Sequence, residues 1–338
     1  MSLRSLFAAA LPLSLILTAC GGGGGSTGDD GADGGTPEGD HYKSVAKSAL
    51  VPTSNPQART YGIDIGAPDG SGPDGTVDNQ LGMVLATLSA MNIDVQGSVS
   101  SAILDGSIIL LTDLQATDLT AATNAGFTVH LGENPTPAAC SGTADVVTCS
   151  TASPPVCTGC GKHLTGSGSF SIKANGTDAT LPGKITGGKL TAGPGNVSIQ
   201  IALGGADPIQ LDLIGARVEG TGISATGITT LKIGGALTQE ALNTQVLPAI
   251  QAQLGPTIAR DCNMLNMPNA NPACGCMSGS TGATVLQLFD AAPKDCMVSV
   301  AEIQANTLIQ SLLAPDVKID GQEALSLGIQ AETTGATY

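Results

Sequence analysis

The sequence predicts an α+β body. A large antiparallel β-sheet, sandwich-like, is preceded by an amphipathic helix and followed by a helical, disulfide-bonded C-terminal part. Three observations carry this prediction. Between Gly166 and Leu237 apolar and polar residues alternate in short runs, plainest in Val197-x-Ile199-x-Ile201 and Ile209-x-Leu211-x-Leu213. Gly193-Pro194-Gly195-Asn196, Gly204-Gly205 and Gly234-Gly235 punctuate them, the pattern of an antiparallel meander with one buried face. Leu81, Val84, Leu85, Leu88 and Met91 recur instead at helical spacing. Beyond Thr238 the helical period returns, accompanied by capping residues and cysteines.

In chain order, residues 1–19 read as a secretory signal. Arg4 supplies the positive charge, and Leu6 to Leu17 is apolar apart from Ser14. The run is short for a membrane span, which needs about 20 apolar residues. Leu17-Thr18-Ala19-Cys20 closely resembles the lipobox of bacterial lipoproteins. That resemblance implies cleavage before Cys20 and acylation of Cys20, with palmitate-type chains anchoring the protein to a membrane. It implies the cell envelope, and Gly21 rather than Asp after the cysteine favours the outer membrane.

Residues 20–60 read as a tether. Gly21 to Gly39 has no core-forming side chain, and Pro52 and Pro56 mark the continuation as linker. Residues 61–338 are then one body, mainly β over 61–237 and mainly α over 238–338.

Its first feature is acidic. Asp69, Ser71, Asp74, the Thr76 carbonyl and Asp78 follow the order of oxygen ligands in a calcium loop, with Gly75 at the bend. The spacing is one residue too long, and Leu81 stands where a bidentate Glu would be. The other reading is an acidic turn whose Asp78 caps the helix from Asn79 to Met91. Val95 to Leu114 reads as strands interrupted by Asp105-Gly106, and Phe127 to Leu131 as a further strand.

Residues 133–163 form a cysteine- and proline-rich insertion. The chain has nine cysteines. With Cys20 lipidated, the rest form two groups: Cys140, Cys149, Cys157 and Cys160, then Cys262, Cys274, Cys276 and Cys296. An exporting signal makes disulfides the default, and the cysteine-free stretch between the groups favours pairing within each. Cys157-x-x-Cys160-x-x-His163 offers a tight zinc spacing that oxidation would remove.

In the C-terminal part, Thr238 caps a helix through Leu254, ended or kinked by Gly255-Pro256. Cys262 to Cys276 reads as a disulfide loop, and Ala283 to Asp290 as a short helix. Ser299-x-x-Glu302 is a capping box opening a helix from Val300 to Leu313, which Pro315 stops. Leu325 to Ala331 alternates as a closing strand.

Net charge is -15 although charged residues are only 12% of the chain. Such a surface excludes nucleic acid and anionic headgroups as partners. Aromatics are 2% with no Trp, too few for the girdles of a membrane barrel. No His-Glu-x-x-His, Gly-x-Ser-x-Gly or phosphate loop is present, and the histidines are His41, His130 and His163. Asp78-Asn79-Gln80-Leu81-Gly82 and Ile209 to Ser224 are similar to uncharacterised lipoproteins of Gram-negative bacteria, a resemblance that implies no activity. The expected role is an envelope binding or structural module for a protein or hydrophobic ligand. Carriage of a lipid, or hydrolysis at a site without a motif, are the alternatives.

Overall fold

A computed structural model describes residues 35–90, 93–140, 148–149, 157–174, 176–203, 208–262 and 274–338. They lie in one compact unit, Ala32–Tyr338. The signal, Cys20 and the tether up to residue 34 lie outside the described residues.

The chain opens with β1 (Asp40–Leu50), then α1 (Asn55–Tyr61), α2 (Gln80–Ala90) and α3 (Val95–Asp105). Next come β2 (Leu110–Ala116), β3 (Ala121–Thr136), the two-residue β4 (Thr148–Cys149) and β5 (Cys157–Thr158), and β6 (Gly168–Ile172). A meander of β7 (Thr180–Thr186), β8 (Lys189–Ile201), β9 (Ile209–Ser224) and β10 (Gly227–Thr238) follows. The helical part holds α4 (Gln239–Ala241), a π-helical turn at Leu242–Val246, α5 (Leu247–Asp261), α6 (Thr281–Phe289), α7 (Val300–Ala305) and α8 (Thr307–Leu312). β11 (Val317–Ile319) and β12 (Gln322–Thr337) complete the chain.

Strands β1, β2, β3, β7, β8, β9, β10 and β12 pair antiparallel in that order, and β12 pairs back onto β1. The sheet is therefore a closed eight-stranded barrel rather than sandwich-like. The difference originates at β1. The sequence reading places 45–60 in the tether because of Pro52 and Pro56, but the strand ends at Leu50, before either proline. Val45 and Ala46 are buried, and β1 joins β2 to β12 where an open sheet would have two edges.

Closure turns one face of every strand inward. Phe127, Leu190, Ile199, Leu211, Leu213, Leu231 and Ile233 are all but inaccessible. They belong to one apolar cluster that also takes in Leu81, Leu85 and Leu88 of α2, Val99 of α3, and Ile250 and Leu254 of α5. An eight-stranded barrel is just wide enough for side chains to fill. The β1–β2 and β10–β12 connections both run through helices at the same end of the barrel, and those helices extend its core. Three hydroxyls interrupt this apolar interior. Ser44 Oγ lies 2.7 Å from Thr112 Oγ1 and donates to Thr333 Oγ1, which also accepts the Ile228 amide. Each is partnered, so its burial costs little.

The outward faces are polar. Lys47 pairs with Glu332 at 2.7 Å and Lys189 with Glu219 at 3.3 Å. Apolar-in and charged-out is the reverse of a lipid-facing barrel. Two small apolar layers cover the barrel from outside. Phe170 and Tyr338 pack on Val45 and Leu111, and Ile63, Ile65 and Val317 pack on Ala236.

Several elements differ from the sequence reading. Val95 to Asp105 is helical, not a strand. Val95, Val99 and Ile103 are four apart, Asp94 Oδ1 caps the helix by accepting the Gly97 amide at 2.7 Å, and Gly106 ends it at φ 79°. The Phe127–Leu131 strand is the middle of the longer β3. Of the two readings at Gly255-Pro256, an end or a kink, the end is ruled out: the helix runs on to Asp261 with Pro256 inside it. The capping box forms in full, but Asn306 splits the helix after it and caps α8 through its own side chain.

Candidate functional site

The helical part following β10 builds a cleft. Thr238 Oγ1 accepts the Ala241 amide at 3.2 Å and starts α4, and the π turn then widens the helix over Leu242–Val246. A π turn rotates the residues after it relative to an α-helical register and often marks a functional position. Opposite stands α8, fixed at its start by Asn306, whose Oδ1 accepts the Leu308 and Ile309 amides. Pro315 then turns the chain toward β11.

Between these elements lies a cleft of about 500 Å³, lined by Gln239, Leu242, Asn243, Leu247, Gln304, Ile309, Gln310, Leu313, Ala314 and Pro315. That volume falls within the range of small-ligand sites, roughly 300–1,000 Å³. Leu242, Leu247 and Ile309 are buried and form an apolar floor. Four side-chain amides make the walls. Gln304 Nε2 donates to Asn243 Oδ1 at 3.1 Å, and Gln310 Nε2 donates to the Gln304 carbonyl at 2.9 Å. Gln239 Nε2 is buried and has no hydrogen-bond partner. No lining residue is charged and none is aromatic.

In the acidic loop each carboxylate accepts backbone amides. Asp69 Oδ1 accepts the Ser71 amide at 2.9 Å, and Asp74 Oδ1 accepts the Thr76 amide at 2.8 Å. Asp78 Oδ2 accepts the amides of Ile65 and Gly66, and Asp64, outside the sequence-derived ligand set, accepts those of Asp74 and Gly75. Asp69, Asp74 and Asp78 thus turn to separate backbone amides and do not gather. Among the described residues the three-member group of acid, Cys or His side chains at metal-binding separation is Cys274, Asp290 and Cys296, and both of its sulfurs are in a disulfide.

Nor does Asp78 cap α2. Asn79 does, its Oδ1 accepting the Gly82 amide at 3.0 Å. Asp78 is half-buried, and desolvation pushes its pKa up to about 6, against the pull of the Ile65 and Gly66 amides. The charges of Asp316 and Asp64 add to the rise. Asp316, which sequence reasoning passed over, holds the Ser326 amide and hydroxyl, and burial raises its pKa too.

The histidines stand apart from one another. His41, read as tether, is on β1 with Nδ1 2.9 Å from Asp113. His130 Nδ1 is 2.7 Å from Asp178, beside the Tyr338 ring. His163 is fully buried against Phe170, and neither ring nitrogen has a partner in hydrogen-bonding geometry. Burial lowers its pKa, opposed by the nearby Ile103 carbonyl and by Asp105.

Cys140 is bonded to Cys160, Cys262 to Cys276, and Cys274 to Cys296, so every described bridge falls within its predicted group. The Cys140 bond removes Cys160 from the zinc spacing. Cys149 and Cys157 face each other in backbone register.

Together the described residues define a helix-capped, water-facing β-barrel with an uncharged, amide-walled cleft on its helical part. Comparison with protein-family models, with curated proteins and with solved structures finds no match for this chain.

Proposed function

We propose that this chain is a lipid-anchored binding module of the bacterial cell envelope whose ligand occupies the cleft between α4, the π turn and α8. Acyl chains on Cys20 hold the protein to the outer membrane, and the Gly/Asp-rich stretch after it spaces the barrel from the bilayer. The barrel is the scaffold. Its filled interior supports the helical part, and its acidic exterior keeps nucleic acid and anionic lipid away.

The single observation that carries this reading is the cleft, ligand-sized, with an apolar floor and four side-chain amides on its walls. Carriage of a lipid has less support. The apolar crevice among Leu88, Ile93, Val95, Leu203, Ile250 and Leu254 measures about 10 Å³, the room of one water.

The test is a screen of small neutral fragments by amide chemical shifts on the soluble Cys20→Ser protein. Hits should move the amides of Leu242, Asn243 and Gln310. Hits confined to other surfaces would overturn the reading. Fractionation tests the anchor separately: wild type should remain with membranes through carbonate washing, and Cys20→Ser should not.

A further inference from the structure

A seam on the flank of the barrel is closed around one histidine. His163 lies in the 3-10 turn Lys162–Leu164, has no solvent exposure, and neither ring nitrogen has a hydrogen-bond partner. The turn belongs to a corner of chain whose two limbs are joined by the Cys140–Cys160 bridge and by the Lys162 amide, which donates to the Ala139 carbonyl at 3.1 Å. The Gly161 amide fastens this corner to the end of α3, donating to the Leu104 carbonyl at 2.7 Å. The ring fills the space between. Phe170 of β6 packs on it edge-on at 6.0 Å, and a Cβ on Gly106, which ends α3, would stand 3.9 Å from His163 Cε1. A neutral ring is tolerated in such a setting. A charged one loses its hydration without return, because a buried cation needs a partner. Asp105 and the Ile103 carbonyl, both on α3, oppose this effect, but burial outweighs them and holds the ring below its ordinary pKa. Phe170, and Pro135 and Ala139 beside Gly106, bring no charge, and Lys162, the chain neighbour, would repel a protonated ring.

We propose that the Cys140–Cys160 corner is a pH-sensitive latch: protonation of His163 detaches it from the end of α3 while the barrel stays folded. The bridge keeps the two limbs together, so the corner leaves as a unit. Opening breaks the Gly161–Leu104 bond, hands the imidazolium to water and uncovers the face of Phe170 on which it rested. The latch is independent of the cleft and of its ligand.

The experiment follows amide hydrogen exchange in the full soluble Cys20→Ser chain from pH 7.5 to pH 5, corrected for the intrinsic rate at each pH. The Gly161 amide should lose protection, by at most about thirtyfold over that range, the limit for a group that takes up its proton at the ordinary 6.5 once it is released. The Leu211 and Ile233 amides of the barrel should keep theirs, since the opening is local. His163→Leu should hold the Gly161 amide equally well at both ends of the range. Should that variant not fold, the pH series on the parent decides: the loss should begin near pH 6.5, and a loss beginning only near pH 4 would assign it to a carboxyl and overturn the latch. Unchanged protection of Gly161, the same loss in His163→Leu, or an equal loss at Leu211 and Ile233 would each overturn it as well.

Discussion

The side-chain amide of Asn79 pairs with the backbone of Gly328 as a neighbouring strand would. Nδ2 donates to the Gly328 carbonyl at 2.9 Å, and Oδ1 accepts the Gly328 amide at 2.8 Å. The same side chain donates to the Ala58 carbonyl and accepts the Gly82 amide. One buried residue thus starts α2, holds α1 and completes the bonding of β12. Gly328 also lets the chain entering from α1 pack close, because it lacks a side chain; a Cβ there would meet Gly62 Cα at 2.7 Å and the Tyr61 carbonyl at 2.8 Å.

Asn79→Ala should therefore be among the most damaging single changes outside the apolar core. It abandons four hydrogen bonds at about 1 kcal/mol each, and leaves buried partners unsatisfied, so a loss of about 4 kcal/mol is expected. Denaturant unfolding measures this directly. A loss below about 1 kcal/mol, the value of an ordinary cap, would mean that Gly328 finds other partners.

This residue also shows where the sequence is legible. The Asp78-Asn79-Gln80 stretch announces a helix start, and a helix starts there. The sequence assigns the cap to Asp78; that Asn79 holds it depends on Gly328, far away in the chain. The meander and the capping box are local patterns and are read correctly, and the three described bridges fall within the expected cysteine groups. Barrel closure is not local: it needs β1 to meet β12, and nothing in residues 40–50 names that partner. α3 is misread because β-branched residues suggest strand, while Asp94 and Gly106 had marked both its ends. The cleft is the least legible feature. Its glutamines are ordinary surface residues until the π turn and the break at Asn306 bring them together.

Asp78 makes the fold gain stability on mild acidification. The folded carboxyl holds its proton up to about pH 6, whereas the ordinary value is 3.8. Folding therefore takes up a proton between these values, and stability rises as pH falls through 6 toward 4, then levels. Asp316, also raised by burial, acts in the same direction. Asp78→Asn keeps an acceptor for Ile65 and Gly66 without the charge. It should melt higher than wild type at pH 7.5 and lose most of the acid gain. A lower melting temperature at pH 7.5 would show that the carboxylate charge is needed.

Calcium should leave the melting temperature as it is in chelator, at low ionic strength. A calcium site needs six or more oxygens converging on one point. Here the carboxylates of Asp69, Asp74 and Asp78 accept different amides and, among the described residues, do not form a group at metal-binding separation. A calcium-dependent rise that Asp74→Ala removes would show that the loop rearranges around the ion.

His163 should oppose Asp78 in the same pH range. Its ring is fully exposed to no solvent and bonded to no acceptor, so burial holds its pKa below the ordinary 6.5. The unfolded chain takes up the proton first, so His163 contributes stability above pH 6.5 that is lost as pH falls below it. In wild type this loss is hidden under the gain from Asp78. The Asp78→Asn background, where Asp316 alone still gains, reads it more directly: adding His163→Leu should raise stability at pH 5 relative to pH 7. At pH 7.5 the leucine should cost little. It gives up an edge-on contact with Phe170 worth about 1 kcal/mol, and it removes buried polar atoms whose lack of partners costs about as much. Equal acid sensitivity with and without His163 would place the titration elsewhere.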